Sequence, residues 1–160
     1  MLQIARLQPP IRNDIAGGGE FLASRGDRLH YGIDYQIAAG SHVLVAKTCE
    51  FVKVGQAYGD TPEFKYIEVR DGDVFVRYFY VQPNPALSSG TQLFEAEWIG
   101  CAQPIGQHYA NGMQDHVHVE VFYTGEKALR IPNGVKFIYR PDKDRTYVDP
   151  AAYFRGEIIA

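Results

Sequence analysis

The chain has 160 residues, 46% of them hydrophobic and 22% charged, with a formal net charge of −3. That length suits one domain, residues 1–160, with a real buried core, and the mild charge gives no reason to expect nucleic acid or an anionic membrane as partner. No apolar run approaches the ~20 residues of a membrane span, and two cysteines are too few for a disulfide scaffold or a Cys-rich metal site.

Residues 1–10 show no apolar leader region. Sixteen glycines and nine prolines, beside eleven tyrosines and nine phenylalanines, favour short strands and turns over long helices. Residues 11–29 read as irregular, with Gly17-Gly18-Gly19 and Ser24-Arg25-Gly26-Asp27 marking loops. Neither a helical pattern nor Lys-Ser/Thr follows the glycine run, which excludes a phosphate-binding loop. Next, His30-Tyr31-Gly32-Ile33-Asp34 sets an imidazole and a carboxylate four positions apart, across a glycine that lets the backbone turn tightly. Residues 43–46 and 51–54 read as strands, and a polar loop spans 55–65.

The clearest hairpin pairs residues 66–70 with 74–81 around the turn Asp71-Gly72-Asp73. Its alternation sets Val74, Val76, Tyr78 and Tyr80 on one face and Phe75, Arg77, Phe79 and Val81 on the other. Pro83 and Pro85 stop the second strand, and a turn at Ser88-Ser89-Gly90 leads to a strand through Cys101. Cys49 and Cys101 both fall in strand-like runs and are expected to be buried and free. A loop over 106–114 precedes Asp115-His116-Val117-His118-Val119-Glu120-Val121-Phe122. Strand alternation points His116 and His118 to one face, ~7 Å apart along the chain. Residues 124–146 read as a decorated loop or hairpin whose strand-like part is 137–139. Asp149-Pro150 is an N-cap followed by an N1 proline, so 151–154 is expected to be one helical turn. Without sustained helical periodicity or an internal repeat, the chain is all-β.

Two imidazoles on one strand face, with the His-x-x-x-Asp pair, suit Zn²⁺, which takes His and Asp and is catalytic when a fourth position stays open. Spacing leaves open which of His116 and His118 would bind it.

Several blocks together resemble the lysostaphin/LytM-like zinc metallopeptidases, which cut peptidoglycan cross-links. They are Arg28-Leu29-His30-Tyr31-Gly32-Ile33-Asp34, then Gly90 and Ile99-Gly100, then His116-Val117-His118-Val119-Glu120, and finally Val148-Asp149-Pro150 with Tyr153. The resemblance covers residues 18–154. It implies a two-layer antiparallel β fold, a barrel-sandwich hybrid, with a groove across one sheet that holds one Zn²⁺ per chain. His30, Asp34 and His118 are the implied metal ligands, and His116 the implied general base beside a zinc-bound water that acts as nucleophile. The implied substrate is a peptidoglycan peptide, met by a monomer at the cell wall. The setting would be periplasmic, extracellular or phage-delivered, with an exit route other than a visible leader.

One position departs from the family. Its members carry a further histidine at the end of the second hairpin strand, in a Tyr-x-His pattern, where this chain has Tyr78-Phe79-Tyr80. Tyr80 is expected to point into the groove and donate a hydrogen bond to the developing oxyanion, which gives a slower enzyme. His108 is the other imidazole that could serve there, while His42 reads as a solvated loop residue. The competing reading is a binding or scaffold module that keeps the groove with little or no turnover.

Overall fold

Runs of alternating apolar residues pair into two main sheets in the computed structural model, which describes residues 2, 3, 9–158 and 160. The expectation of no leader over residues 1–10 falls mainly on positions outside that set. The larger sheet runs in the order Gln92–Leu93, Cys49–Gln56, Lys65–Asp71, Val74–Phe79, His116–Thr124, Arg145–Val148, Phe137–Arg140. Ile33–Gln36 joins it as an eighth strand beside His116–Thr124. The smaller sheet holds Leu2–Gln3, His42–Leu44, Trp98–Ala102 and Val81–Pro83. Among the described residues the fold is all-β with two short helices, and neither sheet closes into a barrel. No helix among them is long and apolar enough to cross a membrane.

The strand His116–Thr124 is the pivot of the larger sheet. One edge pairs with Val74–Phe79 along most of its length. The other edge is shared, residues 116–119 going to Ile33–Gln36 and residues 121–124 to Arg145–Val148. Val117, Val119, Val121 and Tyr123 are wholly buried, so period two sends His116, His118 and Glu120 to the opposite face. Burying a valine is worth about 1.5–3 kcal/mol. A one-residue slip would exchange those side chains for the histidines, so burial pins the register. The core beneath draws on both sheets, with Val43, Val81 and Ile99 meeting Ile67, Val76 and Val119 in one cluster.

The hairpin strand expected over 74–81 breaks at Tyr80. There the backbone takes φ +66°, leaves the larger sheet, and continues as Val81–Pro83 in the smaller one, paired with Trp98–Ala102. The Tyr80 N–H donates to the Lys65 carbonyl at 2.7 Å, and its own carbonyl accepts from the Gln103 N–H at 2.8 Å. These bonds offset a left-handed conformation that costs a non-glycine residue about 1–3 kcal/mol. The alternation therefore ends at Phe79, two residues early, and Tyr80 does not share the core face of Val74, Val76 and Tyr78.

Elsewhere the structure refines the reading in detail. Residues 11–29 are turns and loops except for two small hairpins that the reading missed, Asn13–Asp14 with Gly17–Gly18 and Ser24–Arg25 with Arg28–Leu29. The loop read over 106–114 contains most of the short helix Ile105–Tyr109. Pro150–Phe154 is helical as expected, and the Asp149 carboxylate accepts from the Ala151 N–H at 3.0 Å. Both thiols are free. Cys49 is buried, and burial pushes its thiol up to about 12. Cys101 is only half-buried, because a bulge between Trp98 and Gly100 shifts the alternation so that Ile99 and Ala102 face the core instead.

Candidate metal centre

Cross-strand register puts Asp34 directly opposite His118, and side chains paired that way stand about 4.5–5.5 Å apart at Cβ. His30, just before that strand, is fastened to the 20–23 turn: its N–H donates to the Ala23 carbonyl at 2.9 Å, and its carbonyl accepts from the Leu22 N–H at 2.7 Å. Gly32 lets this segment lie against the central strand. A Cβ there would fall 2.2 Å from the Val119 carbonyl oxygen and 2.8 Å from His118 Cε1. Gly32→Ala is expected to cost about 1–3 kcal/mol of stability and to displace the His118 ring. Urea unfolding together with zinc titration checks both effects.

Three donor atoms converge over the sheet. His30 Nε2 lies 3.2 Å from Asp34 Oδ1, His118 Nδ1 lies 2.7 Å from the same oxygen, and the two imidazole nitrogens are 3.1 Å apart. Donors about 2.0–2.1 Å from a tetrahedral zinc stand about 3.3–3.4 Å from one another. The triangle is a slightly contracted version of that arrangement.

The surroundings assign the tautomers. His30 Nδ1 lies 2.9 Å from the Glu20 carbonyl; a carbonyl only accepts, so Nδ1 holds the proton and Nε2 turns its lone pair to the centre. His118 Nε2 donates to Glu120 Oε1 at 3.0 Å, leaving Nδ1 to face the centre. Two lone pairs and a carboxylate oxygen repel one another unless a cation lies among them. Without a metal that cation is a proton: burial pulls His118 down, but its bonds to Asp34 and Glu120 outweigh burial and lift it to about 9. For Asp34, burial opposes ionisation, yet the bonds from His118 and His30 hold its carboxyl well below the usual range. A metal ion replaces such a proton on binding. Two nitrogens, one oxygen and a side open to the groove fit zinc in its catalytic form.

His116 stands beside the triangle and outside it. Its Nδ1–H donates to the Gln114 carbonyl at 2.8 Å, and its Nε2 lies 3.8 Å from Asp34 Oδ2. Burial pulls its basicity down, so the ring is neutral at pH 7 with a free lone pair at Nε2. Tyr80 reaches the groove through the break in its strand, its ring meeting His116 edge-on at 5.3 Å. Its hydroxyl is 2.9 Å from that of Tyr58, which also bonds the Tyr109 hydroxyl. Burial pushes the Tyr80 phenol up, so it stays a neutral donor. His108 stacks on Tyr58 at 5.5 Å and does not line the groove. His42 sits in a strand, not a loop, exposed beside Trp98.

Arg12 is the neighbour of the donor triangle that sequence reasoning missed. It is 2% exposed, with Nε 3.1 Å from Asp34 Oδ2 and a terminal nitrogen 2.7 Å from Asp14. It occupies one carboxylate oxygen of Asp34 and leaves the other to the centre. Its position in a stretch without periodicity, 22 residues from its partner, gave no signal. Arg12→Ala leaves the buried Asp34 and the half-buried Asp14 short of their cation and is expected to cost about 3–5 kcal/mol. Urea unfolding of the metal-free protein checks that figure.

No protein-family model matches the chain. Among solved structures, the solution structure of lysostaphin covers 91% of the chain with a TM-score of 0.60 at 16% identity. The chain has the lysostaphin-like fold. It spans 51% of that lysostaphin chain, about half its length. The catalytic domain of the prophage-encoded M23 protein EnpA from Enterococcus faecalis, solved as a point mutant, covers 74% of the chain at 19% identity, with a TM-score of 0.51 and 84% of its own length matched. Leukocyte cell-derived chemotaxin-2 of Bos taurus is 26% identical over 105 residues, which are 65% of this chain and 67% of the relative. On this lysostaphin-like fold the donor triangle forms the floor of a groove of about 360 Å³, walled in part by Tyr31, Tyr58, Tyr109 and Met113.

Proposed function

We propose that the chain is a zinc metalloendopeptidase that hydrolyses peptide cross-links of bacterial peptidoglycan, with one Zn²⁺ held by His30, Asp34 and His118. The observation that supports it most is the donor triangle, open on one side to a groove on a lysostaphin-like fold. The peptidoglycan substrate, and action at the wall as a monomer, follow from the family resemblance of the motif blocks. When bound, zinc supplies Lewis acidity: it polarises the scissile carbonyl and brings the pKa of water from ~16 to ~7.

The chain's own residues do the rest. His116 takes the proton of the attacking water at Nε2 and returns it to the leaving amine. Its bond from Nδ1 to the Gln114 carbonyl holds the ring in the tautomer that this requires. Asp34, with Oδ2 tied to Arg12, presents a single oxygen to the metal. Tyr80 donates its hydroxyl proton toward the oxyanion. That direction is available when Tyr58 donates to Tyr80, since a hydroxyl can accept one bond and still give another.

Tyrosine where the family carries histidine favours a second reading, a groove-bearing binding module with little or no turnover. Digestion of purified peptidoglycan with and without a chelator separates the two. New amino termini that appear only when zinc is present support the peptidase. Retention on the wall material without new amino termini supports the binding module.

A further inference from the structure

In the small hairpin Ser24–Arg25 with Arg28–Leu29, Arg25 lies directly opposite Arg28. Like charges paired across strands repel, and both side chains line the groove beside the donor triangle. Neither has a carboxylate to itself. Arg25 donates to the Gly18 carbonyl at 2.6 Å, and Asp34 Oδ2, a carboxylate oxygen facing it, is 3.8 Å away. That oxygen is already bonded to Arg12, and the other oxygen of Asp34 faces the two imidazoles. Glu120, the second carboxylate of the groove, is held by His118. Arg28 is exposed, and no acidic side chain among the described residues pairs with it. In a chain of net charge −3, the groove wall thus gathers three arginines against two committed carboxylates. Guanidinium groups bind carboxylates through paired, charge-assisted hydrogen bonds.

We propose that Arg25 and Arg28 form a carboxylate-binding subsite beside the donor triangle. It selects peptides that carry a free carboxylate near the bond presented to the centre, either at the C-terminus or on an acidic side chain. This rests on the groove being a peptide site, as the peptidase reading has it.

The test uses three acetylated tetra-alanine peptides: the C-terminal amide, the C-terminal acid, and the amide with one alanine replaced by glutamate. Calorimetric titration into the chelator-stripped chain measures binding without turnover, and the zinc-loaded chain is then titrated and its products read by mass spectrometry. An acid-bearing peptide is expected to bind about tenfold to a hundredfold more tightly than the amide. Whichever acid-bearing form wins identifies the source of the carboxylate. The preference is expected to vanish in the R25Q/R28Q double variant, while zinc uptake and melting temperature stay as in the parent. Equal affinity for acid and amide overturns the subsite, as does no binding of either acid-bearing form at millimolar concentration. So does a preference that survives in R25Q/R28Q, which would assign the carboxylate to another cationic group of the groove in the stripped chain, or to the metal if it survives only in the zinc-loaded chain. A preference lost with the arginines but never accompanied by cleavage keeps the subsite and counts against the peptidase reading alone.

Discussion

Replacing His118 by alanine is expected to abolish stoichiometric zinc uptake, whereas replacing His116 by alanine spares zinc and abolishes cleavage. The two rings sit two residues apart on one strand face, and only their surroundings separate them. His118 Nδ1 is 2.7 Å from Asp34 and 3.1 Å from His30 Nε2, inside the donor triangle. His116 Nε2 approaches Asp34 only to 3.8 Å, and its other nitrogen is spent on the Gln114 carbonyl. Losing an outer partner of a metal ligand costs about 10–100-fold in affinity, so losing a ligand itself costs more than about a hundredfold. Losing a general base costs about 10²–10⁴-fold in rate. Equilibrium dialysis with zinc, run beside amine release from peptidoglycan, reads both quantities. Full zinc occupancy in His118→Ala, or its loss in His116→Ala, would refute the assignment of roles.

Tyr80→Phe is expected to lower turnover by about 10²–10³, the usual cost of removing one oxyanion donor, while zinc stays bound. Phenylalanine keeps the ring that meets His116 edge-on and the backbone bonds to Lys65 and Gln103 that hold the break in the strand. Only the hydroxyl goes, and with it the contact to Tyr58. Tyr80→His restores a donor able to carry positive charge and is expected to retain or raise turnover. Single-turnover kinetics on a peptide that the parent cleaves, paired with zinc titration, makes the comparison. Parent-like rates in Tyr80→Phe would return this tyrosine to a packing role.

Much of the site was legible because strand geometry is local. Alternation over 116–122 already said that His116 and His118 share a face, and the buried run Val117, Val119, Val121 is the physical cause. The same logic failed at Tyr80. Its side chain enters the groove through a left-handed residue where the chain changes sheets. That switch is held by Lys65 and Gln103, fifteen and twenty-three positions away, so no local period could report it. Cys101 was misplaced for a kindred reason, a bulge that moves the alternation by one residue.

By itself the sequence determined the all-β class, the hairpin at Asp71-Gly72-Asp73, the cap at Asp149-Pro150 and the two short motifs that bring imidazole and carboxylate together. Each depends on side-chain direction or backbone preference within a few residues. Only the tertiary structure decided that His118, not His116, meets His30 and Asp34, since that follows from pairing between segments 84 and 88 positions apart. Tertiary structure also decided the tautomers, through the Glu20 carbonyl and Glu120, and drew Arg12 behind Asp34. These are matters of burial and charge: a guanidinium and a carboxylate leave water only where the fold gives each the other as partner.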